Sequence, residues 1–313
     1  MLFIHEDDLV SIVVRTTGKR NISFLNEAIE SIASNRYRPI EVIVVAQTED
    51  EDFVKAIGEL TAIYQFSDFL ISIIINQTSQ DQRTRNLNLG IDQARGRYIG
   101  FLDDDDIFYE NHIEALITPL KEIECFSWSY GNIALALCST DGSNRIVNKN
   151  YDAPFGRDFD LDTLFQGNFI PIHAYLIDRN RINQDLLIFD EKFELAEDYA
   201  FLLRLAVNYR PYYVRELVGE YRIFRDLSNS NLIINELLKI PDRSKVKSWS
   251  KALWQIEVLK EHLLSSYSSG LFSQKFRKYI FYLFPGMKIF FQYRFSALRH
   301  FLVNFIRIFG LME

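Results

Sequence analysis

Four consecutive aspartates, Asp103–Asp106, follow the apolar run "YIGFL" (Tyr98–Leu102) and precede an apolar-periodic segment. Neighbouring carboxylates repel one another, so a cation is expected to neutralise part of the cluster. Oxygen donors of this kind suit a hard divalent ion, Mg²⁺ or Mn²⁺, which is commonly held by one or two carboxylates together with substrate phosphates. On this reading Asp103 and Asp105 share the metal and the sugar side of a nucleotide, while Asp104 or Asp106 turns elsewhere. An acidic turn capping the next helix is the plainer alternative, since acids are favoured at helix N-termini. A calcium loop of the EF-hand type is disfavoured, because its aspartates alternate, a glycine follows at the sixth position and a glutamate closes it. A second acidic pair, Glu197-Asp198, opens the segment "EDYAFLLRLAVN". It suits either a general base or a first helical turn.

The elements that must position these groups are legible as periodic patterns. "LVSIVVR" (Leu9–Arg15), "IEVIVVA" (Ile40–Ala46), "FLISIIIN" (Phe69–Asn76) and "YIGFL" are apolar and rich in branched residues, as buried strands are. Between them Ile22, Leu25, Ile29 and Ile32 mark a helix face, Asp52–Tyr64 forms a second helix, and Leu87, Ile91 and Ala94 mark a third with Gly96 as its stop. Ile113, Leu116, Ile117 and Leu120 follow as a helix bent at Pro119. Strands alternating with helices predict an α/β fold with a mainly parallel, doubly wound sheet, whose ligands sit beyond the carboxyl ends of the strands. The aspartates lie at such an end. After Cys125 the pattern becomes mixed. Two strands surround an Asp141-Gly142 turn, "FIPIHAYLIDR" reads as a strand, Ala196–Tyr209 as a helix and "ELVGEYRIF" as a last strand.

The chain has 313 residues, 48% of them hydrophobic and 25% charged, which is globular composition. A net charge of −7 argues against a general nucleic-acid binder. Cys125 and Cys138 read as free thiols of a reducing compartment. "MLFIHEDDLV" lacks the basic start of a secretory signal, and no uncharged apolar run reaches the roughly 18 residues of a membrane span. A cytoplasmic protein is expected. Residues 275–313 differ from the body, with seven Lys or Arg against one Glu, interleaved with aromatics. Such a tail suits the surface of an anionic membrane, with packing onto the body or a homodimer interface as alternatives.

"FLDDDDI" has some likeness to the "hhhhDxDx[TV]" motif of haloacid-dehalogenase phosphotransferases. Ile107 stands in the place of Thr or Val, however, and the run follows the fourth strand rather than the first. A fuller resemblance joins "LVSIVVRTTGKRNISFLNEAIESI", "RTRNLNLGIDQARGRYIGFLDDDD", "FDEKFELAEDYAFLLRLA" and "GEYRIFRDLSNS". Together, over about Leu9 to Asn231, these resemble the family 2 glycosyltransferases of the GT-A fold. The resemblance implies a GT-A domain over residues 1–239 and a helical, basic-aromatic extension over 240–313. It implies Mn²⁺ or Mg²⁺ as cofactor, with Asp105 as principal metal ligand and Asp103 beside it. Asp103 and Asp104 would face the ribose, the sugar or the metal's surroundings, and Arg85 would approach the diphosphate or fix the loop. Asp198 would be the base that deprotonates the acceptor hydroxyl, with Glu197 orienting the acceptor or the helix start. The reaction implied is inverting transfer from a nucleotide-diphosphate sugar to a glycan or lipid-linked acceptor at the cytoplasmic membrane face.

Three departures accompany the resemblance. The family's second strand often ends in "DDGS"; here it ends in "AQTE", leaving Gln47 to meet a base edge. The first strand ends "RTTGKR" where the family often has a Pro-Thr pair; Thr16 keeps the Thr position and Arg20 could reach a phosphate. "YRIF" lacks the family's His after Tyr221-Arg222, and His173 reads as a core residue. Trp128, Tyr130 and Phe169 could stack on a sugar, with core packing as the plainer role. The "AQTE" departure motivates a rival: a non-catalytic GT-A-like protein that binds nucleotide or glycan in an assembly.

Overall fold

β1 (Val10–Thr17), β2 (Ile40–Gln47), β3 (Phe69–Asn76) and β4 (Tyr98–Asp103) form a parallel layer in the order β3-β2-β1-β4. The computed structural model describes residues 7–19, 21–141, 146–224 and 243–267. β1 and β2 are buried on both faces, which is why their sequences run apolar without alternation. α1 (Ile22–Ala33), α2 (Glu51–Ile63) and α4 (His112–Glu122) cover one face, while α3 (Arg83–Gln93) and α6 (Glu197–Asn208) cover the other. α1 is capped by the side chain of Asn21 and α2 by that of Asp50, which accepts from the N–H groups of Asp52 and Phe53. α3 lies close to β1 because Gly90 has no Cβ. A Cβ there would fall 2.3 Å from Cγ1 of Val13.

The second half extends the sheet as β4-β8-β6-β9-β5. β8 (Tyr175–Asp178) runs antiparallel to β4, and the start of β6 (Trp128–Thr140) runs antiparallel to β8. Beyond Ile133 the place beside β6 is taken by β7 (Ile146–Phe155), while β9 (Tyr212–Phe224) lies parallel along its other side. The two-residue β5 (Ile107–Phe108), just after the aspartates, pairs with Glu220 and Gly219 of β9. A short helix, α5 (Leu161–Gln166), precedes α6, and α7 (Arg243–Tyr267) packs on α6. Ile256 of α7 joins the same core as Phe201 and Leu205. Lys251 pairs with Glu194 at 2.7 Å, and Gln255 donates to the Lys192 carbonyl.

The α/β fold with a parallel first half is as expected, with three local corrections. "FIPIHAYLIDR" is not one strand. Ile172–Ala174 form a 3-10 turn, and only Tyr175–Asp178 pair. Gly96 does not stop α3, which ends at Gln93 with Ala94 extended. Gly96 instead lets the chain press on β1, where a Cβ would meet the Leu9 carbonyl at 2.6 Å. Its N–H donates to Ser11 Oγ and to the buried Glu41 carboxylate, which also accepts from the backbone N–H and side chain of Arg95. The Asp141-Gly142 turn reaches past the described residues, as do Arg20 and the basic tail from 268 onward. The boundary expected near residue 240 likewise falls outside them.

Candidate active site

The order β3-β2-β1-β4 places the crevice of a doubly wound sheet beyond the carboxyl ends of β1 and β4. Register brings Arg15 of β1 opposite Asp103 of β4. The Arg15 guanidinium forks over both oxygens of Asp103, through Nε to Oδ1 and through Nη2 to Oδ2 at 2.9 Å. Its Nη1 donates to Glu197 Oε1 at 2.5 Å. One buried cation thus ties the end of β4 to the start of α6. The guanidinium is held charged even though burial opposes it, because both carboxylates face it.

The aspartates turn sharply after β4, with the Asp106 N–H donating to the Asp103 carbonyl. Asp103, Asp105 and Asp106 each offer one carboxylate oxygen, and these oxygens lie within 4.8 Å of one another. Asp103 and Asp105 are partly exposed; Asp104 and Asp106 are buried. Asp104 turns inward and accepts from Thr16 Oγ1 at 2.6 Å. Asp106 accepts from the N–H of Arg222 on β9, and its other oxygen lies 3.2 Å from Nδ1 of the buried His173, without hydrogen-bond alignment. Burial, then the charges of Asp105 and Asp103, push the Asp106 carboxyl well above the usual range. Burial holds His173 down to about 4, so the imidazole is neutral. Asp103 and Asp105 therefore present the accessible hard oxygens, a donor set that fits Mg²⁺ or Mn²⁺. Thr16→Val would leave the Asp104 carboxylate without this donor. We expect a loss of about 1–3 kcal/mol in stability, read from the urea midpoint.

Glu197 and Asp198 begin α6 after Ala196, whose left-handed backbone (φ 59°) carries a side chain where glycine is usual. This left-handed residue stands at the turn into α6, where Glu197 meets Arg15 and Asp198 follows it in the first turn. Asn168 Nδ2 donates to Asp198 Oδ2 at 3.3 Å, and Asn168 Oδ1 is itself fixed by the Ile170 N–H. Burial, then the Glu197 charge, raises the Asp198 carboxyl to about 6. Such a group is ionised at neutral pH yet basic enough to accept a proton. If Asp198 is the base, log kcat/KM for transfer should climb with pH through about 6 and level off above it. A profile flat from pH 5 to 8 would remove Asp198 from that role. Beneath these groups lies the buried Tyr175 hydroxyl, without a hydrogen-bond partner and within the fields of Asp198, Arg15, Glu197 and Asp103.

The other expected residues are placed differently. Gln47 is buried at the end of β2, and its Oε1 accepts from the Gln82 N–H and from Asn86 Nδ2. Its amide nitrogen donates to the Gln80 carbonyl. Gln47 therefore braces the loop into α3, with one N–H left over. Arg85 is exposed on α3. The arginine nearer the crevice is Arg83, which forks on Asp81 and lies within the fields of Glu197 and Arg15. Trp128, Tyr130 and Phe169 are core residues. Arg15, Arg83 and Asn168 were not singled out by sequence. The one available signal was Arg15 itself, a charge ending an otherwise buried apolar strand.

Residues 11–135 match the profile of Glycosyl transferase family 2. Over these residues the chain is similar to glycosyl transferase family 2. The chain is 26% identical over 220 residues to the GalNAc(5)-diNAcBac-PP-undecaprenol beta-1,3-glucosyltransferase of Campylobacter jejuni, covering 69% of this chain and 65% of that protein. It is 32% identical over 117 residues to glycosyltransferase GlyG of Streptococcus pneumoniae, covering 37% and 36% of the two chains. The chain therefore spans less than two thirds of either relative. Among solved structures it is similar to S. aureus TarS 1-349, with TM-score 0.50, 14% identity, and coverage of 85% of this chain and 76% of that one. The complex of that protein with UDP-GlcNAc gives TM-score 0.51 at 13% identity, covering 78% and 71%. These likenesses establish the GT-A fold, and the family 2 profile covers both β1 with Arg15 and the aspartate turn. Among the described residues no helix is long and apolar enough to cross a membrane.

Proposed function

We propose that this chain is a metal-dependent, inverting glycosyltransferase. It moves a sugar from a nucleotide-diphosphate donor to a hydroxyl of a glycan or lipid-linked acceptor. One observation carries the reading: Arg15 ties Asp103 of the aspartate turn to Glu197, and the next residue, Asp198, has its carboxyl raised to about 6 within the field of Asp103. Asp105 and Asp103 would hold Mn²⁺ or Mg²⁺, which supplies positive charge where the leaving diphosphate becomes more negative. Asp198 takes the proton of the acceptor hydroxyl. The freed oxygen forms a bond to the anomeric carbon from the face opposite the donor. The bond from that carbon to the diphosphate oxygen breaks, and its electron pair leaves with the diphosphate. Arg15 and Arg83 add fixed positive charge beside that group. Glu197 and Asn168 hold the helix start and the base in place. Thr16, Asp104 and Gln47 support the donor side from beneath. Arg85, exposed on α3, would meet the donor from its outer side, and Arg20 remains a candidate for a phosphate.

In this reading residues 1–239 form the transferase domain and 240–313 an extension whose helix α7 lies on the base-bearing helix. The Campylobacter relative is named for a PP-undecaprenol acceptor, and a lipid-linked glycan is proposed for this chain too. TarS 1-349 has been solved with UDP and with UDP-GlcNAc, which makes uracil the first base to test. The experiment is a thermal-shift panel of UDP, GDP, dTDP and CDP with and without Mn²⁺, followed by donor turnover with the best nucleotide's sugars. Metal-dependent stabilisation by one nucleotide, together with turnover, supports the transferase. A panel without any shift favours the non-catalytic reading.

A further inference from the structure

Arg15 holds Asp103, one of the two aspartates proposed above to bind the metal. Its guanidinium covers both oxygens of Asp103 and reaches Glu197 with a third N–H, so its three contacts use a planar fork that an ammonium cannot reproduce. The side chain is only 16% exposed. A divalent ion approaching Asp105 would meet this fixed charge across the same cluster, where three carboxylate oxygens lie within 4.8 Å. An incoming diphosphate changes the balance, because its negative charge attracts both cations at once.

We propose that Arg15 is a placeholder for the divalent ion: it keeps Asp103 engaged and couples it to Glu197, so that metal binds tightly only in company with the donor's diphosphate. Arg15 is a positioning residue in this role, and the inference rests on the proposed donor site at the same aspartates. Its consequence is a crevice that does not collect free Mn²⁺ or Mg²⁺ and keeps the β4 end and the α6 start in register while empty.

The test is a titration of Mn²⁺ alone, followed by electron paramagnetic resonance, on the full chain and its variants. Arg15→Lys is the informative variant because it keeps the charge and loses the fork. Arg15→Met removes both, and its fold is checked by circular dichroism because the buried Glu197 and the partly exposed Asp103 lose their counter-ion. In both variants Mn²⁺ should bind at least about tenfold more tightly than in the native chain, within the range by which neighbouring groups tune metal sites. The tightening should vanish when Asp105→Asn is added. Equal or weaker Mn²⁺ binding in Arg15→Lys would overturn the inference, whatever Arg15→Met does. That result would leave the transferase reading intact if donor turnover persists in the native chain. Tighter Mn²⁺ in Arg15→Lys without turnover of any nucleotide-sugar would instead uphold the placeholder and remove the transferase reading.

Discussion

Asp105→Asn should abolish metal-dependent nucleotide binding and lower transfer by about a hundredfold to a thousandfold. The substitution keeps the size of the side chain and removes the charge of the more accessible oxygen donor in the aspartate turn. The turn itself is held by other contacts: the Asp106 N–H to the Asp103 carbonyl, Thr16 to Asp104, and the Arg222 N–H to Asp106. The fold should therefore persist, with a native far-UV circular dichroism spectrum. What disappears is the extra stabilisation that Mn²⁺ gives in the presence of nucleotide. A ligand that binds only the native state adds about 2.7 kcal/mol at a hundredfold excess over its dissociation constant, so the loss is readily measured by thermal shift. An unchanged Mn²⁺-dependent shift in Asp105→Asn would move the metal away from this loop.

Asp198→Asn should lose transfer by a similar or larger factor and yet make the protein more stable at pH 7. The loss follows from removing the group proposed to accept the hydroxyl proton. The gain follows from the carboxyl's position. Its folded value of about 6 lies above the ordinary 3.8, so the folded state prefers the protonated form. Its favourable contribution is complete below about pH 4 and is lost as pH rises through about 6, leaving a charged carboxylate that costs stability at neutral pH. Asparagine carries no such cost. Because the site is partly open to solvent, a gain of about 1–3 kcal/mol is expected. The gain should shrink towards zero near pH 4, where aspartate is protonated as well. A variant that is inactive but less stable at pH 7 would mean that Asp198 bonds within the fold rather than serving the crevice.

Much of the fold around the aspartate turn was legible in the sequence because its determinants are local. The buried strands run apolar, the helices repeat at their own period, and "DDDD" sits at a strand end where sheet topology puts ligands. Asp198 was legible as a first-turn acid beside Glu197. What escaped depends on contacts across long stretches of chain. Arg15 meets Asp103 and Glu197 only through strand register and the return of α6. Asp104 looks like its neighbours in sequence, and burial beneath Thr16 is what sets it apart. Arg83 and Arg85 differ by two positions, and the start of α3 at residue 83 decides which lies nearer the crevice. "FIPIHAYLIDR" has the apolar content of a strand, yet Pro171 and the 3-10 turn after it place His173 against Asp106 instead. Gln47 resembles a surface amide in sequence, and its three internal bonds join it to the loop before α3 and to Asn86 of that helix, more than thirty residues away.

The order in which the sheet is wound also bears on how the protein is made. The layer β3-β2-β1-β4 is complete once Asp103 has been synthesised, and its connections are all short crossovers. Chains generally fold from the N-terminus as they emerge. β4 must then wait, with one edge bare, until Tyr175–Asp178 arrive to cover it. A bare edge is a template for wrong pairing between nascent chains. When β8 docks, Asp178 is already destined for the Arg97 guanidinium at the foot of β4, so one buried ion pair latches the new strand in register. Glu197 and Asp198 come later still. On the proposed function, a half-made chain therefore owns the carboxylates that would hold a metal before it owns the proposed base, and the candidate site is complete only after the exposed edge has been closed.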